Sequence, residues 1–271
     1  MQYVNITPED YVERKFCLDI YNNIKSNFDD SVSLCVRNWD NENNFDGKKR
    51  IVIITSAEGH KYTPSDQQDE NCMAVFMHYP PKIDISRQFD TDSFIDIDKV
   101  FALPLGSTKF FQSGDTIPYE KRKYDFSFIG QLDPYRRVGF YKAVHSVHKK
   151  YNCYATFYEG WNNGIGGEEY SKILRDSKIA LVPWGTASLD TFRFYEACES
   201  GCIIISDNQN SYDFMKNSPH LVADWDYLDQ ILTMVLNDKN SPLVSLTTRK
   251  FWEDNLSPKA CAEYIMSKVK I

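Results

Sequence analysis

The chain of 271 residues is long enough for one large domain or two smaller ones, and its 42% hydrophobic and 25% charged residues are ordinary for a globular protein. The net charge of -7 argues against a general nucleic-acid-binding or anionic-membrane-binding protein, because such proteins carry a basic surface. The sequence shows no N-terminal signal, no apolar run of about 18 residues and no CxxC pair among its seven cysteines. We therefore expect a soluble, cytoplasmic protein with no membrane span.

The first half of the chain has a weak pattern of apolar residues. A helix is predicted between Glu9 and Asn27, where apolar residues recur at helical spacing. Short apolar runs then predict strands at 51–55, 74–77 and 100–105. A charged linker is predicted at 120–123, before the pattern becomes stronger.

From residue 125 onward, strands and helices are predicted to alternate. Apolar runs predict strands at 125–130, 153–158, 178–183, 202–206 and 220–224. Helical periodicity predicts helices at 136–151, 166–177, 190–200, 225–238, 244–254 and 258–269. Continuously apolar strands that alternate with helices are typical of a parallel sheet covered on both faces, so we predict a doubly wound α/β domain.

Polar or glycine-bearing loops follow three of these strands. They read GQLDPYRR (130–137), EGWNNGIGG (159–167) and WGTASLDTFR (184–193). Ligands bind open parallel sheets at the carboxyl ends of the strands, where all three loops are expected to meet. The sequence therefore predicts a ligand site at this edge.

The last of these loops leads into a helix with an arginine and a glutamate on one face. Asp190 is predicted to cap a helix that starts at Thr191, and Arg193 and Glu196 lie three residues apart. The helix N-terminus together with Arg193 would suit a diphosphate, and Glu196 would accept hydrogen bonds from a ribose. A salt bridge within the helix is the alternative that spacing alone allows.

Two adjacent cations, Arg136 and Arg137, begin the predicted helix that follows the strand at 125–130. A cation at a helix N-terminus is unfavourable to the helix dipole, and a bound anion would explain the pair. The neighbouring Asp133 is an alternative explanation, which the sequence leaves open.

The residues from Tyr170 to Cys202 resemble the C-terminal signature of the exostosin-like glycosyltransferases. They read Y-x3-L-x2-SKIALVP-x-G and then R-x2-EA-x3-GC, and the earlier FSFIGQLDPYRR is similar to the strand–Gly–Arg element of that family. The resemblance implies a GT-B fold, in which two Rossmann-like domains face a central cleft and the C-terminal helix crosses back to the N-terminal domain. We therefore expect an acceptor-side domain at 1–122, a nucleotide-sugar-binding domain at 123–257 and the returning helix at 258–271.

The same resemblance implies an inverting transfer from a UDP-sugar, with no cofactor and no catalytic metal. The first guess for the donor is UDP-xylose, followed by the galactose, glucuronate and arabinose donors, and the expected acceptor is a hydroxyl group of an oligosaccharide or glycoprotein glycan. A non-catalytic nucleotide-sugar-binding or scaffold protein is the alternative. The compact, anchorless form resembles the versions carried by large algal viruses and bacteria, which would act in the cytoplasm.

Carried over residue by residue, the resemblance predicts the donor site. Arg136 or Arg137 and Arg193 would contact the diphosphate, and Glu196 the ribose. Backbone near Val182, Pro183 and Trp184 would contact the uracil. Gly130 and Thr191 complete the predicted donor-binding set.

An inverting transfer also needs a general base for the acceptor hydroxyl. The loop SAEGHKYTPSDQQDE follows the strand at 51–55, and its Glu58 is the first choice because it comes soonest after the strand. His60, which has the more suitable intrinsic pKa, and Asp66 are the alternatives, and each could instead be a solvated loop residue.

Two further residues are expected on the acceptor side. His78 ends a strand and Trp161 could stack on a sugar ring, although both could instead be packed core residues. The D-x-D patterns at 90–92 and 96–98 are predicted to belong to a solvated acidic segment and not to a metal site.

Overall fold

The computed structural model describes residues 1–38, 47–55, 66, 69–78, 99–132, 137–160, 163–185, 191–207 and 212–269. They form two compact units, Met1–Gly106 with Pro258–Ile271, and Ser107–Ser257. The strands are β1 (Gln2–Asn5), β2 (Val32–Asn38), β3 (Lys49–Thr55), β4 (Cys72–Met77), β5 (Val100–Ala102), β6 (Tyr124–Gln131), β7 (Cys153–Tyr158), β8 (Ser177–Val182), β9 (Ile203–Ser206) and β10 (Leu221–Val222). The α-helices are α1 (Arg14–Ile24), α2 (Val138–Val147), α3 (Gly167–Arg175), α4 (Phe192–Glu199), α5 (Leu228–Asn237), α6 (Ser241–Phe251) and α7 (Pro258–Lys268).

The first unit contains a sheet of five parallel strands in the order β1-β2-β3-β4-β5. The predicted helix is confirmed as α1, and the three predicted strands as β3, β4 and β5. Sequence reasoning misses β1 and β2. The first is short and partly exposed, and Ser33 and Arg37 interrupt the apolar run of the second.

Each face of this sheet packs in its own apolar cluster. The face covered by α1 and α7 contains Phe16, Ile20, Leu34, Val36, Ile51, Ile53, Ala74, Phe76, Cys261 and Ile265. The opposite face contains Cys35, Val52, Ile54, Cys72, Val75 and Met77. The C-terminal helix therefore packs within the first unit, as the GT-B expectation requires.

The second unit contains a parallel sheet in the order β10-β9-β8-β6-β7, which confirms the predicted doubly wound α/β domain. From β6 the chain passes through α2 to β7 on one side, and from β8 it passes through α4 to β9 on the other. Because the two connections diverge, the carboxyl ends of β6 and β8 form the topological switch point, where open α/β sheets bind ligands.

The segment predicted as a charged linker is part of the second unit, and its central residue is buried. Arg122 donates hydrogen bonds to the carbonyl groups of Ile117, Ser177, Ser200 and Gly201 at 2.8–3.0 Å. These bonds attach residue 122 to the amino end of the sheet. The prediction of a linker at 120–123 is therefore wrong, and the second unit begins at Ser107 and not at residue 123.

Candidate functional site

The switch point of the second unit brings Gly130 and Arg193 together. Nη2 of Arg193 donates to the carbonyl of Ile129 at 2.6 Å, and the guanidinium lies 4.6 Å from the ring centroid of Phe128. A Cβ atom on residue 130 would lie 2.2 Å from Nη2. A glycine at the end of β6 is therefore required for the close approach of the arginine to the strand.

Arg193 has hydrogen-bonding capacity that its surroundings leave unused. Its Nε and Nη1 atoms are buried, and neither has a partner in the described part of the chain. The salt bridge with Glu196 that the spacing allows is not formed between these two described residues, because the carboxylate accepts from Thr108 and Tyr170 and the guanidinium donates to the carbonyl of Ile129. A half-buried arginine in the first turn of a helix, with two donor nitrogens buried and unused, is a suitable environment for an anion, because leaving a buried N–H group without a partner is costly.

Arg137 links the ends of the two strands that flank the switch point. Its Nη1 donates to the carbonyl of Gln131 at 2.9 Å, and its Nε and Nη2 donate to the carbonyl of Trp184. This buried side chain therefore fixes the segment that follows β8 against the end of β6.

Trp184 presents an aromatic surface at the same edge. Its side chain is 46% exposed, while its backbone N–H and indole N–H both donate to Asp207 at 3.0–3.1 Å. Asp207 also accepts from the indole of Trp225 at 2.7 Å, and burial raises the pKa of this carboxyl group. The ring of Trp184 is thus held in one orientation although it faces solvent, whereas Val182 and Pro183 before it are buried.

Glu196 points into a network that sequence reasoning misses. Its Oε1 accepts from the backbone N–H of Thr108 at 3.1 Å and from the Thr108 hydroxyl at 2.8 Å, and its Oε2 accepts from the Tyr170 hydroxyl at 2.7 Å. Burial raises the pKa of Glu196, and these hydrogen bonds act in the opposite direction. Tyr170 belongs to the quoted signature, but only its position in space relates it to Glu196.

The helix that carries both residues begins one residue later than predicted. It starts at Phe192, with Thr191 as the extended N-cap residue, so Arg193 lies in the first turn. Gly201 follows this helix with a φ of 66°, the left-handed conformation in which glycine commonly ends a helix.

Several predicted site residues lie outside the described residues. They are Glu58, His60, Arg136, Trp161 and Asp190, together with both D-x-D patterns. In the described ranges, no group of three His, Cys, Asp or Glu side chains could hold a metal ion. The same ranges contain no helix of the length and apolar character that a membrane crossing needs.

One alternative for the general base, Asp66, and one predicted acceptor-side residue, His78, are described, both in the first unit. Asp66 is buried and forms an ion pair with the buried Arg37 of β2. His78 follows β4 and is fully buried.

Several solved structures with a similar fold are distant in sequence. The GtfA/B complex matches with a TM-score of 0.51 and 12% identity over 93% of this chain and 59% of that chain. The pneumococcal O-GlcNAc transferase GtfA, solved with UDP and GlcNAc, matches with a TM-score of 0.51 and 12% identity. The match covers 92% of this chain and 58% of that chain. An alpha-glucosyltransferase solved with UDP and a 13-mer DNA matches with a TM-score of 0.53 and 7% identity. The match covers 95% of this chain and 83% of that chain. At such identities these matches show the fold, which is that of GT-B glycosyltransferases.

This chain spans less than two thirds of the first two of those chains. A search of curated protein sequences found no significant match. One family model, described as the RXYLT1 C-terminal domain, matches residues 108–247, which is more than half of the 271 residues. The matched region contains the switch point, Arg137, Arg193 and the network around Glu196. The chain therefore belongs to the RXYLT1 C-terminal domain family of exostosin-like glycosyltransferases.

Proposed function

We propose that the protein transfers a sugar from a UDP-sugar to a hydroxyl group of a glycan acceptor. The observation that carries this proposal is the half-buried side chain of Arg193 at the switch point, whose buried Nε and Nη1 nitrogens have no hydrogen-bond partner in the described residues. A diphosphate would supply both the negative charge and the acceptor oxygens that this group lacks. The backbone N–H groups of the first turn of α4 would add further donors.

The ribose of the nucleotide is assigned to Glu196. A carboxylate has about four acceptor positions, and Thr108 and Tyr170 fill three of them. The remaining position, on Oε2, can accept one hydroxyl group. Because Thr108 and Tyr170 fix the carboxylate from the other directions, it is oriented before the nucleotide binds.

The uracil is assigned to the segment after β8. Trp184 offers an exposed aromatic surface in a fixed orientation, and the backbone at Val182 and Pro183 ends the adjacent strand. Aromatic surfaces of this kind stack on flat rings. Arg137 holds this segment in place by donating a hydrogen bond to the carbonyl of Trp184.

The reaction is proposed to be a single displacement with inversion at the sugar carbon. Arg193 and the N-terminus of α4 would stabilise the departing diphosphate without a metal ion, and a general base would remove the proton of the acceptor hydroxyl. Glu58 remains the first choice for that base. Asp66 ranks behind Glu58 and His60, because it would have to leave its ion pair with Arg37 to reach a hydroxyl group.

The sugar is proposed to be xylose, ahead of galactose, glucuronate and arabinose, because the matched family is a family of xylosyltransferases. Thermal unfolding with UDP, GDP and ADP tests the nucleotide, and a ligand at a hundredfold excess over its Kd should raise the free energy of unfolding by about 2.7 kcal/mol. UDP release from the four UDP-sugars then tests the transfer. Release should be fastest with UDP-xylose and should fall in Glu58→Ala but not in the control Glu70→Ala. Equal stabilisation by all three nucleotides would contradict the proposal, and binding without release would favour a scaffold protein.

A further inference from the structure

The carboxyl end of the first sheet changes abruptly from apolar to polar side chains on one face. Successive residues of a strand point to opposite faces, so Val36, Ile53 and Phe76 share the face that α1 and α7 cover. These three residues are paired side by side across β2, β3 and β4. Two positions further along the strands, the same face carries Asn38, Thr55 and His78.

These three residues, which we call the polar row, form a line across neighbouring strands. Asn38 and Thr55 are paired directly, and the backbone N–H of His78 continues the ladder by donating to the carbonyl of Ile54 at 3.0 Å. Neighbouring strands lie about 4.8 Å apart, so the row spans about 10 Å. It lies at the carboxyl ends of parallel strands, the edge where such sheets bind ligands.

Two residues of the polar row are buried and Asn38 is half-buried, yet much of the hydrogen-bonding capacity of the row is unused. His78 and Thr55 are both fully buried. Neither ring nitrogen of His78, nor Oδ1 of Asn38, has a hydrogen-bond partner among the residues that the structure describes. Thr55 donates to the carbonyl of Arg37 at 3.2 Å and can still accept hydrogen bonds. Apolar side chains would fill this place in a core without that cost, which indicates that the polar atoms serve a ligand.

We propose that Asn38, Thr55 and His78 form a binding site for the hydroxyl groups of an uncharged sugar or polyol. This inference rests on the proposed function, because it names the chemical class of the acceptor. A hydroxyl group both donates and accepts, which matches an amide oxygen, a threonine hydroxyl and an imidazole placed side by side.

The charges around the polar row favour a neutral ligand over an anion. Arg37, the cation next to Asn38 in sequence, is ion-paired with Asp66. Among the described residues, the cation that adjoins the polar row in sequence is therefore already neutralised, so it offers an anion no unpaired positive charge.

The protonation state of His78 agrees with the same assignment. Burial lowers the pKa of His78 to about 3, so the ring is neutral at physiological pH. A neutral imidazole has one N–H donor and one acceptor nitrogen, which is the pair of functions that a hydroxyl group can satisfy.

Nuclear magnetic resonance of the full chain, labelled with nitrogen-15 in histidine, tests this site without any nucleotide. The probes are methyl β-D-xyloside, methyl β-D-galactoside and methyl β-D-glucoside, with methyl β-D-glucuronide as the charged counterpart of the last. The neutral glycosides should shift the ring signals of His78, and the glucuronide should bind about fivefold more weakly or worse. Equal affinities for all four probes would overturn the assignment to a neutral ligand. The absence of any shift of the His78 ring signals would overturn the site itself.

A matched pair of variants separates binding from packing. His78→Phe should weaken glycoside binding about fivefold or more and leave the UDP-induced rise in melting temperature unchanged. His145→Phe, which changes an exposed histidine of α2, should alter neither. If the His78→Phe protein folds, unaltered glycoside binding would contradict the inference. If it does not fold, the wild type decides, and the absence of glycoside-induced shifts in its His78 signals would contradict the inference. Glycoside binding without UDP binding would contradict the proposed donor site and leave this inference standing.

Discussion

Gly130 leaves the space that the guanidinium of Arg193 occupies, since a Cβ atom on residue 130 would lie 2.2 Å from Nη2 of the arginine. The same guanidinium donates to the carbonyl of Ile129, so its position depends on the glycine that follows. The end of β6 and the first turn of α4 are thereby locked together. Any anion that binds to Arg193 depends on this relationship.

Gly130→Ala should therefore weaken UDP binding by about tenfold or more, because the displaced arginine loses its hydrogen bond and a hydrogen bond to a charged group contributes about 1.5–3 kcal/mol. Isothermal titration with UDP measures the change. Gly139→Ala is the control, since a Cβ atom at that helical position meets nothing within 4 Å. Equal UDP affinities of the two variants would contradict the account.

Tyr170→Phe removes the hydroxyl that donates to Oε2 of Glu196. Urea unfolding should show a loss of about 1–3 kcal/mol, because a buried carboxylate loses a partner, and UDP affinity should also fall. Tyr227→Phe, at a side chain 57% exposed, should change neither quantity. A destabilised Tyr170→Phe protein with unchanged UDP affinity would mean that the network around Glu196 is only structural.

Stability should depend on pH through His78. Its pKa falls from 6.5 to about 3 on folding, so between these values the unfolded chain binds a proton that the folded chain does not. The free energy of unfolding should therefore decrease as the pH falls from 6 to 4, by about 1.4 kcal/mol per pH unit from this group. Urea unfolding of the wild type and of His78→Phe at three pH values measures the difference. Parallel pH profiles would show that His78 takes up a proton in the folded protein.

Arg122→Ala should destabilise the second unit by about 3 kcal/mol or more, because four buried carbonyl groups lose a charged donor. Lys121→Ala, at the exposed neighbouring position, should have little effect. Differential scanning calorimetry compares the two. A small effect of Arg122→Ala would restore the interpretation of 120–123 as a linker.

The sequence predicts the second unit well, because parallel strands buried on both faces appear as continuous apolar runs between helices. It also predicts Arg193 and Glu196 as site residues, but not what each contacts. Thr108 lies 88 positions before Glu196, and no local pattern relates the two. A salt bridge between Arg193 and Glu196 is the alternative that helical spacing suggests, because spacing relates only neighbours along the helix. In the structure, Arg193 instead donates to the carbonyl of Ile129 at the end of β6. The polar row is equally hidden, since Asn38, Thr55 and His78 become neighbours only through strand pairing.

Titration of uridine, UMP and UDP into the wild type and into Arg193→Met tests the central claim most directly. The account predicts that affinity for the wild type rises with each phosphate, and that the variant loses about a hundredfold in UDP affinity while its uridine affinity is unchanged. Arg175→Ala, which changes an arginine at the end of α3, should bind all three like the wild type. If Arg193→Met binds UDP as tightly as the wild type, the buried donors of Arg193 do not bind a diphosphate and the proposed donor site is wrong.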